Sequence, residues 1–258
     1  MSETSRTTQD FLDSSQYLES SILQYESIYG EDFVSPGGGE LARELISRLE
    51  LAPGARVLDV GCGLGGSAFV MAREFGLRVD GIDLSRNMLT LAQRKLDANG
   101  LAGSVALQWG DCLELDCAQR YAAVYSRDVF LHIADKQRLF ARLYAALLPA
   151  GKLLFSDYCC GPQPWSDAFD AYVQQRHYTL HTPAEYAELI ANAGFEQVVA
   201  ADETPRFVAI LQAEAERIDA LPTDESTRDK LRQSWQQKIE RARDGEQRWG
   251  LFTAVKPA

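Results

Sequence analysis

The chain has 258 residues, 46% of them hydrophobic, and a formal charge of -11. That size and composition suit one generous α/β domain with a large core. The acidic balance argues against nucleic acid or an anionic membrane as partner, since both need a basic footprint, but a few local cations could still hold a small anion.

In chain order, residues 1–10 are polar and expected to fray. Tyr17, Ile22, Tyr25 and Ile28 recur at helical spacing, predicting a helix over 14–30. Ser35-Pro36-Gly37-Gly38-Gly39 breaks it before a second helix over 40–50. After Pro53-Gly54 come strand 56–61, helix 65–76, strand 78–83, helix 86–99, strand 104–109, strand 121–126, helix 135–148 and strand 151–158. This alternation predicts a doubly wound, mostly parallel sheet, with its ligand beyond the carboxyl ends of the strands. Gly61, Asp83, Asp111 and Ser126 all fall there. From Gly161 the pattern changes to a helix over 165–176 and a capping box at Thr182 and Glu185 with Pro183 at the first helical position. That helix should stop at Gly194, followed by strand 195–201. A charged helical region over 205–243, with the mixed charges of 213–244 read as a solvated face, and a last strand over 247–255 complete the chain. The expected divisions are an N-terminal helical segment (1–54), a ligand-binding core (55–160), and helices with the last strands of the same domain (161–258).

Residues 57–66, Val-Leu-Asp-Val-Gly-Cys-Gly-Leu-Gly-Gly, carry the first chemical signal. The glycines permit positive φ and let a ligand meet bare backbone, and the following helix aims its free N–H groups at the same place. The spacing also fits a dinucleotide turn. However, Asp59 would add negative charge beside a pyrophosphate, and no second nucleotide-binding half follows. An acid ending the second strand (Gly81-Ile82-Asp83) and Gly110-Asp111-Cys112 after the third make the pattern resemble class I S-adenosylmethionine methyltransferases. A sulfonium, an ammonium and a ribose diol all suit acidic neighbours. The expected cofactor is therefore S-adenosylmethionine, held by Ser35, Gly61, Gly63, Asp83, Leu84, Asp111, Cys112, Ser126 and Arg127. Asp83 should bond the ribose hydroxyls; Asp111 and the Cys112 N–H should meet the adenine.

The fourth strand runs into Ser126-Arg127-Asp128-Val129-Phe130-Leu131-His132. Asp128 and His132 are four apart and would share a face of even one helical turn. A histidine between Leu131 and Ile133 is commonly a core group. At the crevice, an acid and a titratable base suit an amine, whose ammonium must lose a proton before its nitrogen can attack. The five cysteines (Cys62, Cys112, Cys117, Cys159 and Cys160) are odd in number, lack zinc spacing and have only three histidines beside them, so they read as reduced thiols with no metal. No apolar run approaches about eighteen residues and the N-terminus lacks a basic-then-apolar leader, predicting a cytoplasmic protein without membrane insertion.

A wider set of segments resembles the phosphoethanolamine N-methyltransferases. These are Gln16-Tyr17, Tyr25-Glu26-x-Ile28-Tyr29-Gly30-Glu31, Ser35-Pro36-Gly37-Gly38, Ser126-Arg127-Asp128-x-x-Leu131-His132, Asp157-Tyr158-Cys159, Tyr172-Val173-x-Gln175-Arg176-x-Tyr178-Thr179-Leu180 and Gln247-Arg248-Trp249-Gly250. The similarity runs over about residues 11–255. It implies a Rossmann-like methyltransferase fold with an N-terminal helical lid and a C-terminal helical insertion. It further implies a catalytic Tyr17–His132 pair, Asp128 on the substrate amine, and a phosphate pocket of Tyr25, Tyr158, Arg176, Tyr178 and Lys238. An arginine fork, a lysine charge and phenolic donors are chemically suited to a phosphate. His177 departs from the cation expected there and reads as a bystander; His181 reads as the residue before a helix cap. The implied reaction is N-methylation of phosphoethanolamine, and of its mono- and dimethyl forms, towards phosphocholine. Three other readings compete: a methyltransferase for glycine, sarcosine or an aminophosphonate; a dehydrogenase; and a non-catalytic S-adenosylmethionine binder, which would need none of Tyr17, Asp128 or His132.

Overall fold

A computed structural model describes residues 3–258, with side chains from Arg6 onward. Seven strands form one sheet in the order β3-β2-β1-β4-β5-β7-β6. They are β1 (Arg56–Val60), β2 (Arg78–Asp83), β3 (Val105–Trp109), β4 (Tyr121–Arg127), β5 (Leu147–Cys160), β6 (Glu196–Asp202) and β7 (Gln247–Val255). The first five pair in parallel, and β7 runs antiparallel between β5 and β6. The doubly wound, mostly parallel sheet expected from the alternation is present.

Ten α-helices accompany the strands among the described residues: α1 (Glu3–Phe11), α2 (Glu19–Tyr29), α3 (Gly38–Ser47), α4 (Gly66–Phe75), α5 (Arg86–Asn99), α6 (Lys136–Ala146), α7 (Asp167–Gln175), α8 (Pro183–Asn192), α9 (Thr204–Ile218) and α10 (Glu225–Arg243). Period-two alternation sorts the central strands onto two cores. Val57 and Tyr125 join Leu45, Phe69, Phe207, Trp235 and Trp249 on one face. Leu58 and Val124 join Phe130, Phe140, Phe155, Tyr186 and Phe252 on the other. The capping box at Thr182 and Glu185 is formed with Pro183 beginning α8.

Three expectations need correction. Residues 3–11 are helical rather than frayed, while Met1 and Ser2 lie outside the described residues. Residues 14–30 are not one helix. A π-helical turn, Leu12–Gln16, ends at Tyr17, and Leu18 is extended (ψ 143°) before α2 begins. The charged region 205–243 is helical, in two helices with Pro222 in the break and Asp224 restarting the chain by accepting from Thr227 N at 3.0 Å. It is not simply a solvated face, since Glu214, Leu231, Trp235 and Ile239 are buried. In addition, α3 packs into the main core through Leu41, Ala42, Leu45 and Ile46, so only part of segment 1–54 overlies the site described next.

Candidate active site

A cavity of about 190 Å³ opens beyond the carboxyl ends of the central strands, roofed by the N-terminal segment and floored by the glycine turn. The turn fits tightly. Gly61 has φ +70°, and a Cβ there would sit 2.2 Å from Val129. Gly61 N and Cys62 N both donate to Ile82 O, at 2.7 and 3.2 Å, which binds the turn to the end of β2.

Asp83 ends β2 and points its carboxylate into this lobe. Its Oδ2 accepts from Gly63 N and its Oδ1 from Ser85 N, each at 2.8 Å. Burial nevertheless pushes the carboxyl up to about 6. Asp59, 2% exposed, lines not this cavity but a small adjoining pocket that shares Gly61 and Gly63 with it; its Oδ2 has no partner, and burial with the neighbouring Asp83 pushes it up to about 7. Two under-compensated carboxyls beside a bare backbone turn suit a ligand carrying positive charge and hydroxyl donors. Ser35, Leu84, Asp111 and Cys112 also line this lobe. Asp111 Oδ1 accepts from Leu113 N at 2.9 Å, capping the short turn Cys112–Glu114.

Two expected cofactor residues behave differently. Ser126 is fully buried and does not line the cavity; its hydroxyl donates to Val60 O at 2.7 Å, stitching β4 to β1. Arg127 lines the wall, and its two Nη groups donate to backbone, to Gly38 O at 2.9 Å and to Pro36 O, while its Nε is buried without a partner. Its evident task is to hold the loop that presents Ser35. Glu214 secures that loop from the other side, accepting from Gly37 N at 2.7 Å and from Trp235 Nε1 at 3.1 Å.

The second lobe is built on the end of β4. Asp128 and His132 both line it, but on no shared helical face: Asp128 has φ +55°, and His132 closes a 3₁₀ turn (Phe130–His132). Asp128 Oδ1 accepts from Trp249 Nε1 at 2.8 Å and from Ser156 Oγ at 3.0 Å. Its Oδ2 is buried without a partner, and burial raises the carboxyl above its ordinary range. An anchored carboxylate with one vacant oxygen is an ammonium acceptor. His132 Nε2 lies 3.4 Å from the Tyr17 hydroxyl, which comes from the N-terminal segment. Burial, reinforced by Lys136 and Arg176, pulls the imidazole down to about 3, so it is neutral at physiological pH.

Opposite Asp128 the wall turns cationic and phenolic. Arg176, Lys238 and Arg241 line it with Tyr25, Tyr29, Tyr158 and Tyr178. Lys238 Nζ reaches the Tyr29 hydroxyl at 3.3 Å, and burial lowers the ammonium to about 8. Burial also disfavours the Arg176 charge, but the surrounding phenols of Tyr178, Tyr172 and Tyr25 outweigh it and raise its pKa. Tyr29, Arg241 and Gln16 were not expected as lining residues. Tyr29 follows Tyr25 by four positions and Arg241 follows Lys238 by three, so helical spacing carried the signal. His177 stays outside the lining and stacks on Phe11 at 4.1 Å.

Methyltransferase domain is the family description matching residues 57–151. A phosphoethanolamine N-methyltransferase of Plasmodium falciparum is 32% identical over 256 residues, covering 95% of each chain. Phosphoethanolamine N-methyltransferase 1 of Zea mays is 41% identical over 96% of this chain and 50% of its own length, so the chain spans about half of that plant relative. Among solved structures, Haemonchus contortus phosphoethanolamine N-methyltransferase 2, in complex with phosphomonomethylethanolamine and S-adenosylhomocysteine, superposes with a TM-score of 0.94 at 36% identity, over 97% of this chain and 60% of that one. With a full-length relative above the threshold of shared ancestry and segments outside the generic fold matching as well, the chain belongs to the phosphoethanolamine N-methyltransferase family.

Proposed function

We propose that this protein methylates the nitrogen of phosphoethanolamine and of its mono- and dimethyl forms, yielding phosphocholine, with S-adenosylmethionine as methyl donor. One observation carries the reading: a single cavity is lined by Asp128, whose buried Oδ2 has no partner in the protein, together with three cations and four phenols. That is the complement of a short molecule with an amine at one end and a phosphate at the other.

When bound, S-adenosylmethionine supplies an electrophilic methyl group. Asp83 and the Gly61–Gly63 backbone are placed to hold its ribose side, and Asp59 its charged amino acid side. Arg176, Lys238 and the tyrosines grip the phosphate, and that binding energy fixes the amine end. Asp128 Oδ2 takes a hydrogen bond from the amine and orients it. Neutral His132, with the Tyr17 hydroxyl beside it, closes over the nitrogen and excludes water, and the imidazole lone pair is the acceptor offered to the departing proton. In this reading residues 8–36 form the cover of the N-terminal segment, 55–160 the donor-binding core and 161–258 the substrate helices. No helix among the described residues is long and apolar enough to cross a membrane. Five free cysteines support a reducing, cytoplasmic setting.

The test is a mass-resolved methylation assay against phosphoethanolamine, ethanolamine, glycine and 2-aminoethylphosphonate. The phosphate ester should be consumed preferentially. Equal use of ethanolamine would abolish the anion pocket, and preference for glycine would replace the substrate.

A further inference from the structure

The N-terminal segment reaches the cavity through the π-helical turn Leu12–Gln16, closed by Tyr17 N donating to Leu12 O at 2.7 Å. The turn sits on the first turn of α5. Asp13 Oδ1 accepts from Ser85 Oγ at 2.5 Å, and Asp13 Oδ2 from Arg86 N at 3.1 Å. Ser85 thus donates to Asp13 while its oxygen accepts from Met88 N at 3.1 Å, so one hydroxyl caps the helix and receives the turn. Asn87 completes the clamp: its Nδ2 donates to both Asp13 O, at 3.0 Å, and Tyr17 O, at 2.8 Å. One side-chain amide therefore grips both ends of the turn, and the second end is the residue whose hydroxyl meets His132.

The opposite edge of the segment is held more lightly. Gln16 Nε2 donates to Arg176 O at 3.2 Å, and Phe11 stacks on His177. The α5 side has a carboxylate at a helix N-terminus, where the macrodipole and free N–H groups favour it; Gln16 and Phe11 meet the Arg176 side through a neutral hydrogen bond and a ring contact, with no charged group.

We propose that Asp13 and Asn87 are positioning residues for Tyr17, anchoring the cover to the α5 N-terminus so that the cover opens at its Gln16–Phe11 edge. The loop that receives Asp13 also carries Asp83, whose Oδ1 accepts from Ser85 N. Anchor and donor-binding acid therefore share residues 83–87, and the placement of Tyr17 is tied to the geometry of the donor site.

The kinetic arm of the test rests on the methyltransfer reading; the exchange arm does not. Amide exchange is followed across the N-terminal segment of the full chain with S-adenosylhomocysteine present, in wild type, Asp13→Ala, Asn87→Ala and Asp13→Asn. Loss of the anchor should speed exchange at the Tyr17 amide by about tenfold or more in both alanine variants, with Asp13→Asn intermediate because it keeps an acceptor but loses the charge. Turnover should fall by about tenfold while the melting temperature hardly moves. Asn87→Ala combined with Tyr17→Phe should be little worse than Tyr17→Phe alone, since both remove the same hydroxyl from its place. Unchanged Tyr17 exchange in both alanine variants, or fully additive turnover losses, would overturn the anchor. If no amine tested is methylated by the wild type, the function reading fails separately, and exchange alone decides the anchor.

Discussion

Raising the pH should tighten S-adenosylmethionine binding between pH 5 and pH 7, because Asp83 in the donor lobe and Asp59 in the small pocket that shares Gly61 and Gly63 with it both resist ionisation in the free protein. Asp83 is pushed up to about 6 and Asp59 up to about 7 by burial, both far above an ordinary aspartate. A cationic ligand prefers both groups charged, so each proton bound in the empty site must be expelled first. For Asp83 alone, going from pH 5 to pH 7 recovers about tenfold in affinity; Asp59 adds up to about fiftyfold if it must be fully ionised. At pH 6 binding should release about 1.4 protons, about 0.5 of a proton from Asp83 and about 0.9 from Asp59. The sign for the empty protein is opposite. With folded pKa values above the unfolded ones, these two groups contribute stability that is fully present below about pH 4 and is lost as pH rises through 6 and 7. The ligand-induced rise in melting temperature should therefore grow across the same window. Isothermal titration calorimetry in two buffers of different ionisation enthalpy measures affinity and proton release together. Asp83→Asn should flatten most of the Asp83 contribution, although its amide would face one of the two backbone donors now served by the carboxylate. Affinity flat from pH 5 to pH 7 with no proton release would refute the assignment of these carboxyls to the donor site.

Three further outcomes are expected. Trp249→Phe keeps an aromatic ring but removes the 2.8 Å donor to Asp128; loss of that charge-assisted bond, about 1.5–3 kcal/mol, should lower kcat/KM for the amine about ten- to hundredfold and leave S-adenosylmethionine affinity unchanged by calorimetry. Arg176→Ala should raise KM for phosphoethanolamine far more than the dissociation constant of the methyl donor, and equal losses in both would place Arg176 outside the phosphate pocket. His132, held near 3 in the fold against 6.5 in the free side chain, contributes stability present above about pH 6.5 and lost as pH falls towards 3. Urea midpoints should show up to about 2 kcal/mol lost between pH 7 and pH 5 on its account, and His132→Gln should remove that part of the slope.

Local pattern explains why much of the fold could be read in advance. Each central strand is a short apolar run bounded by glycine or an acid, and Thr182–Glu185 announces its helix by a bond three residues long. Failures occurred where the signal was long-range or where one period masked a break. Helical spacing continues from Tyr17 through Ile28, so nothing in it shows that the backbone turns at Tyr17 and Leu18; that break exists because Asp13 and Tyr17 are held by Asn87, about seventy positions away in sequence. Arg127 lines the cavity as expected, but the carbonyls of Pro36 and Gly38 that take two of its donors are distant in sequence and carry no local signal. Ser126 and Arg127 alternate onto opposite, covered faces of the sheet, and only Arg127 lines the cavity. Tyr29 and Arg241 were legible, through helical offsets from Tyr25 and Lys238.

The loop at Pro36–Gly38 also bears on how this scaffold can be re-engineered. Arg127 holds its carbonyls from the sheet, while Glu214 holds Gly37 N from α9 and spends its other oxygen on Trp235, one turn before Lys238 on α10. Exchanging α9 and α10 with those of a relative to alter the amine accepted would therefore disturb the donor pocket unless Glu214 and Trp235 travel together. A graft that separates them leaves a buried carboxylate short of a donor and the Ser35 loop loose at one end. In such chimaeras the donor's affinity would drop before any new substrate was gained, so no junction should fall between Glu214 and Trp235.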